Sequence, residues 1–147
     1  MLQIALSPTP FEPWQYLADW QVARKHNDAR SGANAVFVGN MRDFNEGDSV
    51  KGMFLEHYPG MTERQIQQIA QAAMEKWQLD DALIVHRVGE ILPSQPIVLV
   101  AVWSAHRACA FEACRHILEI LKHNVPFWKR ETLLDDSSRW VAQNTPA

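Results

Sequence analysis

The chain has 147 residues, 47% of them hydrophobic and 21% charged, a balance that predicts one ordinary globular domain, residues 1–147, with a real core. Fourteen Lys and Arg against seventeen Asp and Glu leave a formal net charge of -3, which excludes broad attraction to nucleic acid or an anionic membrane and makes any anion site local. No apolar run approaches the roughly 20 residues of a membrane helix, and Met1-Leu2-Gln3-Ile4 lacks the basic flank of a signal peptide, so a soluble, cytoplasmic protein is expected.

Residues 2–6 form a short apolar run, predicted as an edge strand that Ser7-Pro8-Thr9-Pro10 breaks. Pro13 opens a helix to about Lys25, with Trp14, Leu17, Ala18 and Val22 as its buried face, and the polar stretch 26–32 ends it. Residues 33–39 are β-prone, and a polar segment with Glu46-Gly47-Asp48 as turn chemistry leads to a returning strand over 50–58. Pro59-Gly60 stops that strand, and Thr62-Glu63 opens a helix whose apolar positions are Ile66, Ile69, Ala70, Ala73 and Trp77.

Strands follow over 82–88 and 97–103, joined by a loop containing Gly89, Pro93 and Pro96. The longest helix is predicted over 106–122, with Ala110, Phe111, Cys114, Ile117, Leu118 and Leu121 as one apolar stripe, and Pro126 forbids its continuation. The remainder holds two tryptophans and dense charge and receives no assignment. The alternation predicts an α+β fold, helices covering one face of a mainly antiparallel sheet.

Cys109 and Cys114, five apart on a helix and about 140° around its axis, neither pair nor chelate together, and both read as structural. His57 and His86 fall in strands, where hydrogen-bonded structural roles are expected, and no His/Cys/Asp/Glu spacing matches a metal motif. The densest cationic cluster is Lys122, His123, Lys129 and Arg130, interrupted by Pro126, Phe127 and Trp128. Aromatics among the charges indicate a packed segment in which Lys129 lies against apolar walls, its pKa lowered. The competing reading makes Lys122 a helix C-terminal charge and residues 129–131 surface ion pairs.

Ser104-Ala105-His106-Arg107 marks a strand-to-helix junction, with Ser104 a candidate N-cap. It reads either as a cap with a charged first turn or as a phosphate site. Arg42, after the strand end at Gly39-Asn40-Met41, offers a guanidinium fork for a carboxylate or phosphate.

Gly32-Ala33, Phe37-Val38-Gly39-Asn40-Met41-Arg42, Leu55-Glu56-His57-Tyr58-Pro59-Gly60-Met61-Thr62-Glu63 and His86-Arg87-Val88-Gly89 occur in that order. Ser104-Ala105-His106-Arg107, Ala110-Phe111 and Lys122 through Pro126-Phe127-Trp128-Lys129-Arg130-Glu131 complete the set. Together they resemble the molybdopterin synthase large-subunit (MoaE) family over about residues 32–141. Two loops depart from that pattern: Pro93-Ser94-Gln95-Pro96, where a glycine is common, and Asp135-Asp136-Ser137-Ser138, which lacks the usual glycine before Arg139-Trp140.

The resemblance implies an α/β-hammerhead-type fold and a homodimer with a small ubiquitin-like subunit docked on each copy, giving a heterotetramer. It implies that the small subunit's C-terminal Gly-Gly thiocarboxylate supplies sulfur to cyclic pyranopterin monophosphate, forming the molybdopterin dithiolene without a metal or organic cofactor. By position, Lys122 and Lys129 match the family's active-site lysines, and Arg42, His106 and Arg107 its phosphate-binding residues; Asn40, Met41, Arg130 and Glu131 flank them as further substrate contacts. Two other readings remain: a noncatalytic module docking a ubiquitin-like tail through Arg42 and Lys129-Arg130, and a phosphate-ester hydrolase using His106.

Overall fold

The structure is a computed structural model that describes residues 1–23 and 29–142; the predicted helix end near Lys25 and most of the polar stretch after it lie outside the described residues. Nine strands and three helices occur among them: β1 Leu2–Ser7, α1 Pro13–Ala23, β2 Ala33–Asn40, β3 Phe44–Asn45, β4 Asp48–Glu56, α2 Met61–Trp77, β5 Asp81–Arg87, β6 Gly89–Ile91, β7 Pro96–Ser104, α3 Arg107–Asn124, β8 Trp128–Leu133 and β9 Ser138–Trp140. The α+β class expected from the sequence holds, but the strands divide into two sheets.

The first sheet has the order β1-β5-β7-β2, with β1 parallel to β5 and the remaining pairs antiparallel. Every residue of β5 is buried, as is most of β7, because helices cover both faces of these central strands. On one face, Ile66, Ala70 and Ala73 of α2 and Ala110, Ala113, Ile117 and Leu121 of α3 meet Ala82, Ile84, Val100 and Val102. On the other, α1 lays Leu17 and Trp20 on Leu83, Val85, Leu99, Ala101 and Trp103, with the Trp20 and Trp103 rings 5.1 Å apart.

Two apolar stripes differ from the sequence expectation. In α1 the buried set is Pro13, Leu17 and Trp20, whereas Trp14 and Val22 are 60% and 81% exposed. Both sets have helical spacing, and the aromatic contact with Trp103 selects one. In α3, Ala113 is buried and Phe111 is 69% exposed. Phe111 lies about 20° past Leu118 around the axis, just outside one flank of the stripe, and Ala113 forms the opposite flank against the sheet.

The strand over 48–56 does not return to β2. It crosses into a second, antiparallel sheet of order β3-β4-β8-β9, with β6 also paired to β4. The β3–β4 hairpin turns on Glu46 and Gly47, both at positive φ (51° and 80°), the two-residue turn that matches strand twist. The segment left unassigned in the sequence supplies β8 and β9, and Val50, Met53, Leu55 and Ile91 form this sheet's own small core with Met41. Phe127 and Ile97 pack against both this cluster and the larger one, so the two sheets meet beneath the C-terminal end of α3.

Candidate functional site

A cavity of about 440 Å³ opens at that meeting point. Its walls come from the end of β2 and the segment after it (Phe37 to Arg42), from β3, from His86 and Ile97, from the last turns of α3 and from β8. Its lining combines apolar side chains, Phe37, Ile97, Leu118, Leu121 and Phe127, with the charged Arg42, Lys122, Lys129 and Glu131.

Each cation is placed by simple periodicity. Lys122 follows Leu121 in the last turn of α3, beside the buried stripe, so its stem runs along apolar wall and its ammonium sits at the negative end of the helix dipole. In β8, Lys129, Glu131 and Leu133 share the inward face and pair in register with Leu55, Met53 and Val50. Lys129 is depressed below the ordinary lysine range, first by burial and then by the Lys122 ammonium, with Glu131 opposing both. Two lysines that sense each other inside a partly apolar cavity make an anion the favoured occupant.

The acidic member is itself held in place. Glu131, 5% exposed, accepts hydrogen bonds at Oε1 from Asn45 Nδ2 (3.1 Å) and Arg139 Nε (3.2 Å). Arg139 also donates to Asp48 (2.8 Å) and to the carbonyl of Asn45 (3.0 Å), clamping the β3–β4 hairpin onto β8 and β9. Nothing in the charge-dense tail singled out Arg139 before the strands were known.

Past a register shift at Gly39/Asn40, Met41 exchanges hydrogen bonds with the β6–β7 loop, its N–H donating to Gln95 O (2.9 Å) and its carbonyl accepting from Ser94 N–H (2.8 Å). Ser94 takes a positive φ of 69° there, serving where the family resemblance suggested a glycine. Arg42 stacks its guanidinium over Phe44 at 4.7 Å, at the cavity wall.

His86 lines the cavity, 8% exposed, its ring stacked on Phe127 at 4.2 Å and 13°. Its Nδ1 lies 2.7 Å from Arg87 O, and its pKa is pulled down to about 4, chiefly by burial, with Lys129 and His57 adding to the fall and the Arg87 hydrogen bond resisting it. The structural role expected for it holds, together with a cavity position that the sequence did not disclose. Cys114 is buried, its thiol pushed up to about 11 by burial, with Sγ 3.8 Å from Val100 O, in keeping with a structural role.

Three of the residues singled out by sequence lie elsewhere. Arg130 occupies the opposite face of β8 from Lys129, between the rings of Phe54 (5.5 Å) and Trp140 (5.8 Å). His106 and Arg107 are exposed at the other end of α3. His106, rather than Ser104, is the N-cap residue; Ser104 is still in β7, buried, and its Oγ accepts from His106 N–H at 3.4 Å. Gly32 lies against this junction, where a Cβ would come within 2.5 Å of Ala105 O, so the chain can pass there only as glycine.

The MoaE protein family model matches residues 10–124. A molybdopterin synthase catalytic subunit of Ralstonia nicotianae is 53% identical over 75% of this chain, which spans 62% of that relative's length. Its counterpart in Vibrio cholerae is 46% identical over 84% of each chain. The solved structure of a molybdopterin biosynthesis MoaE protein from Burkholderia ambifaria superimposes with a TM-score of 0.79 at 40% identity, covering 99% of this chain and 93% of that one. Sequence and architecture thus agree over most of the length, and the chain belongs to the MoaE protein family.

Proposed function

We propose that this chain, as one domain over residues 1–147, is the catalytic subunit of a molybdopterin synthase. It transfers sulfur from the C-terminal thiocarboxylate of a small ubiquitin-like partner to cyclic pyranopterin monophosphate, forming the dithiolene. The observation that carries this reading is the pair Lys122 and Lys129, electrostatically coupled within one cavity. Family membership supports the reaction, and relatives named as catalytic subunits support a further subunit.

Attack by the thiocarboxylate and departure of a carboxylate or phosphate oxygen both concentrate negative charge. A lysine ammonium already oriented in the cavity stabilises that charge without reorganising. Lys122 takes this role, and Lys129, with its depressed pKa, is the readier proton donor. Arg42 holds phosphate beside them, with Asn40, Met41 and Glu131 completing the wall.

His106 and Arg107 belong to the same chemistry if two copies share each site. Arg107 and Lys122 are about 22 Å apart along α3 at roughly 1.5 Å per residue, too far for one small phosphate. Two-fold pairing brings the N-terminal end of one α3 to the cavity of its partner. The direct test mixes the purified protein with a thiocarboxylated small subunit and the cyclic pterin and assays dithiolene; absence of product with both reagents intact overturns the reading.

A further inference from the structure

The cavity's cations account for the anionic parts of a substrate, but nothing in their chemistry distinguishes one heterocycle from another. His86 stands on the opposite footing. A carbonyl can only accept, so the 2.7 Å contact with Arg87 O puts a proton on Nδ1. Burial beside Lys129 and His57 keeps the ring neutral, with a pKa of about 4, so Nε2 carries a lone pair throughout the neutral range. A base so weak is a poor proton shuttle at neutral pH and a good fixed acceptor.

The ring cannot easily turn away from this duty. Its proximal nitrogen is tied to the end of β5, and one of its faces is stacked on Phe127, itself a wall of the cavity. The hydrogen bonds among the described residues engage Nδ1 and leave Nε2 at the far end of the ring from the strand. The cavity that His86 lines is also walled by Phe37, Ile97, Leu118 and Phe127, which suit a flat ring better than a chain.

We infer that His86 Nε2 accepts a hydrogen bond from a ring N–H or exocyclic amine of the substrate's heterocycle, making His86 a specificity-determining residue of the cavity. The inference rests on the proposed function, which supplies a reduced pterin bearing such donors. A buried acceptor left unpaired penalises any ring that presents a carbonyl or an N-methyl group at the same place. His86 thereby selects the heterocycle, while Arg42, Lys122 and Lys129 hold the anionic groups.

The test measures binding of cyclic pyranopterin monophosphate to the purified chain carrying His86→Phe, which keeps the ring and loses the acceptor, and His86→Gln, which restores an acceptor near the distal position. His86→Phe weakens pterin binding by roughly tenfold or more, leaves binding of the thiocarboxylated small subunit unchanged, and is partly rescued by His86→Gln. In the wild-type protein, the ¹⁵N resonance of His86 Nε2 starts at the position of a bare imine nitrogen and moves towards the hydrogen-bonded position when the pterin is added. Equal pterin affinity in wild type and His86→Phe, or an Nε2 signal that the pterin does not move, overturns the inference while the sulfur-transfer reading stands. Failure of the wild-type protein to bind the pterin at all overturns both. If His86→Phe does not fold, the nitrogen signal decides.

Discussion

The two ends of α3 carry the same kind of cargo in opposite settings. At the C-terminal end, Lys122 sits beside Leu118 and Leu121 in a walled cavity, where burial first and the Lys122 ammonium second depress the pKa of Lys129. At the N-terminal end, the N-cap residue His106 and the following Arg107 are exposed, with no side-chain hydrogen bond closing the helix. The same positive charge is therefore preorganised at one end and available to an outside partner at the other. In the proposed function the C-terminal end carries the catalytic lysines, and the N-terminal end contributes His106 and Arg107 to the site of a second copy.

The sharpest way to break this contrast is Lys122→Ala. It should lower dithiolene formation by roughly 100-fold to 1,000-fold, the usual cost of one preorganised charge-stabilising group, with little change in melting temperature because Lys122 is only half-buried. Normal turnover would return Lys122 to the role of a helix-end charge and favour the noncatalytic docking reading. Next comes complementation between the ends. Arg107→Ala and Lys122→Ala chains, each inactive alone, should recover about a quarter of wild-type activity in an equal mixture, since half the dimers are mixed and each has one intact pocket. Verified mixed dimers without activity would confine the site to one chain.

Stability separates the ends as well. Ile117→Ala, at a fully buried position of α3, should cost about 2–5 kcal/mol in denaturant unfolding. Acid should weaken the cavity end through His86: its folded pKa of about 4 lies below the ordinary 6.5, so its contribution is fully present above the latter and is lost as pH falls towards the former. That amounts to about 3 kcal/mol, and unfolding curves of a folded His86→Phe variant should lack this component between those pH values. Phe111→Ala, near the exposed end, should stay within about 0.5 kcal/mol; a large loss would mean that Phe111 is covered in solution by another surface.

Much of this was legible in advance because burial periodicity and backbone chemistry are local. The spacing of Ile66, Ala70 and Ala73, the apolar runs of β5 and β7, and the break at Pro126 each announce their element without reference to the rest. Aromatics between charges announced that Lys129 is packed, and its lowered pKa bears this out. In α1, by contrast, two apolar sets fit the same helix, and only the approach of Trp103 decides for Trp20. The strand over 48–56 has the alternation of any strand, and alternation carries no address, so its partners in the second sheet were out of reach of the sequence.

What the sequence determined by itself was the α+β class, the order and approximate limits of the principal elements, and the residues carrying positive charge for an anion. The tertiary structure decided which of those residues share a cavity. Lys129 and Arg130 are neighbours in the chain and lie on opposite faces of β8, because successive side chains in a strand point opposite ways. Lys122 and Arg107 ride one helix and are separated by its length. His86, read from sequence as a structural histidine, gained its place in the cavity wall only when Phe127 was laid against it across 41 residues of chain. A side chain's type is written in the sequence, but the surface it faces exists only after distant segments have packed.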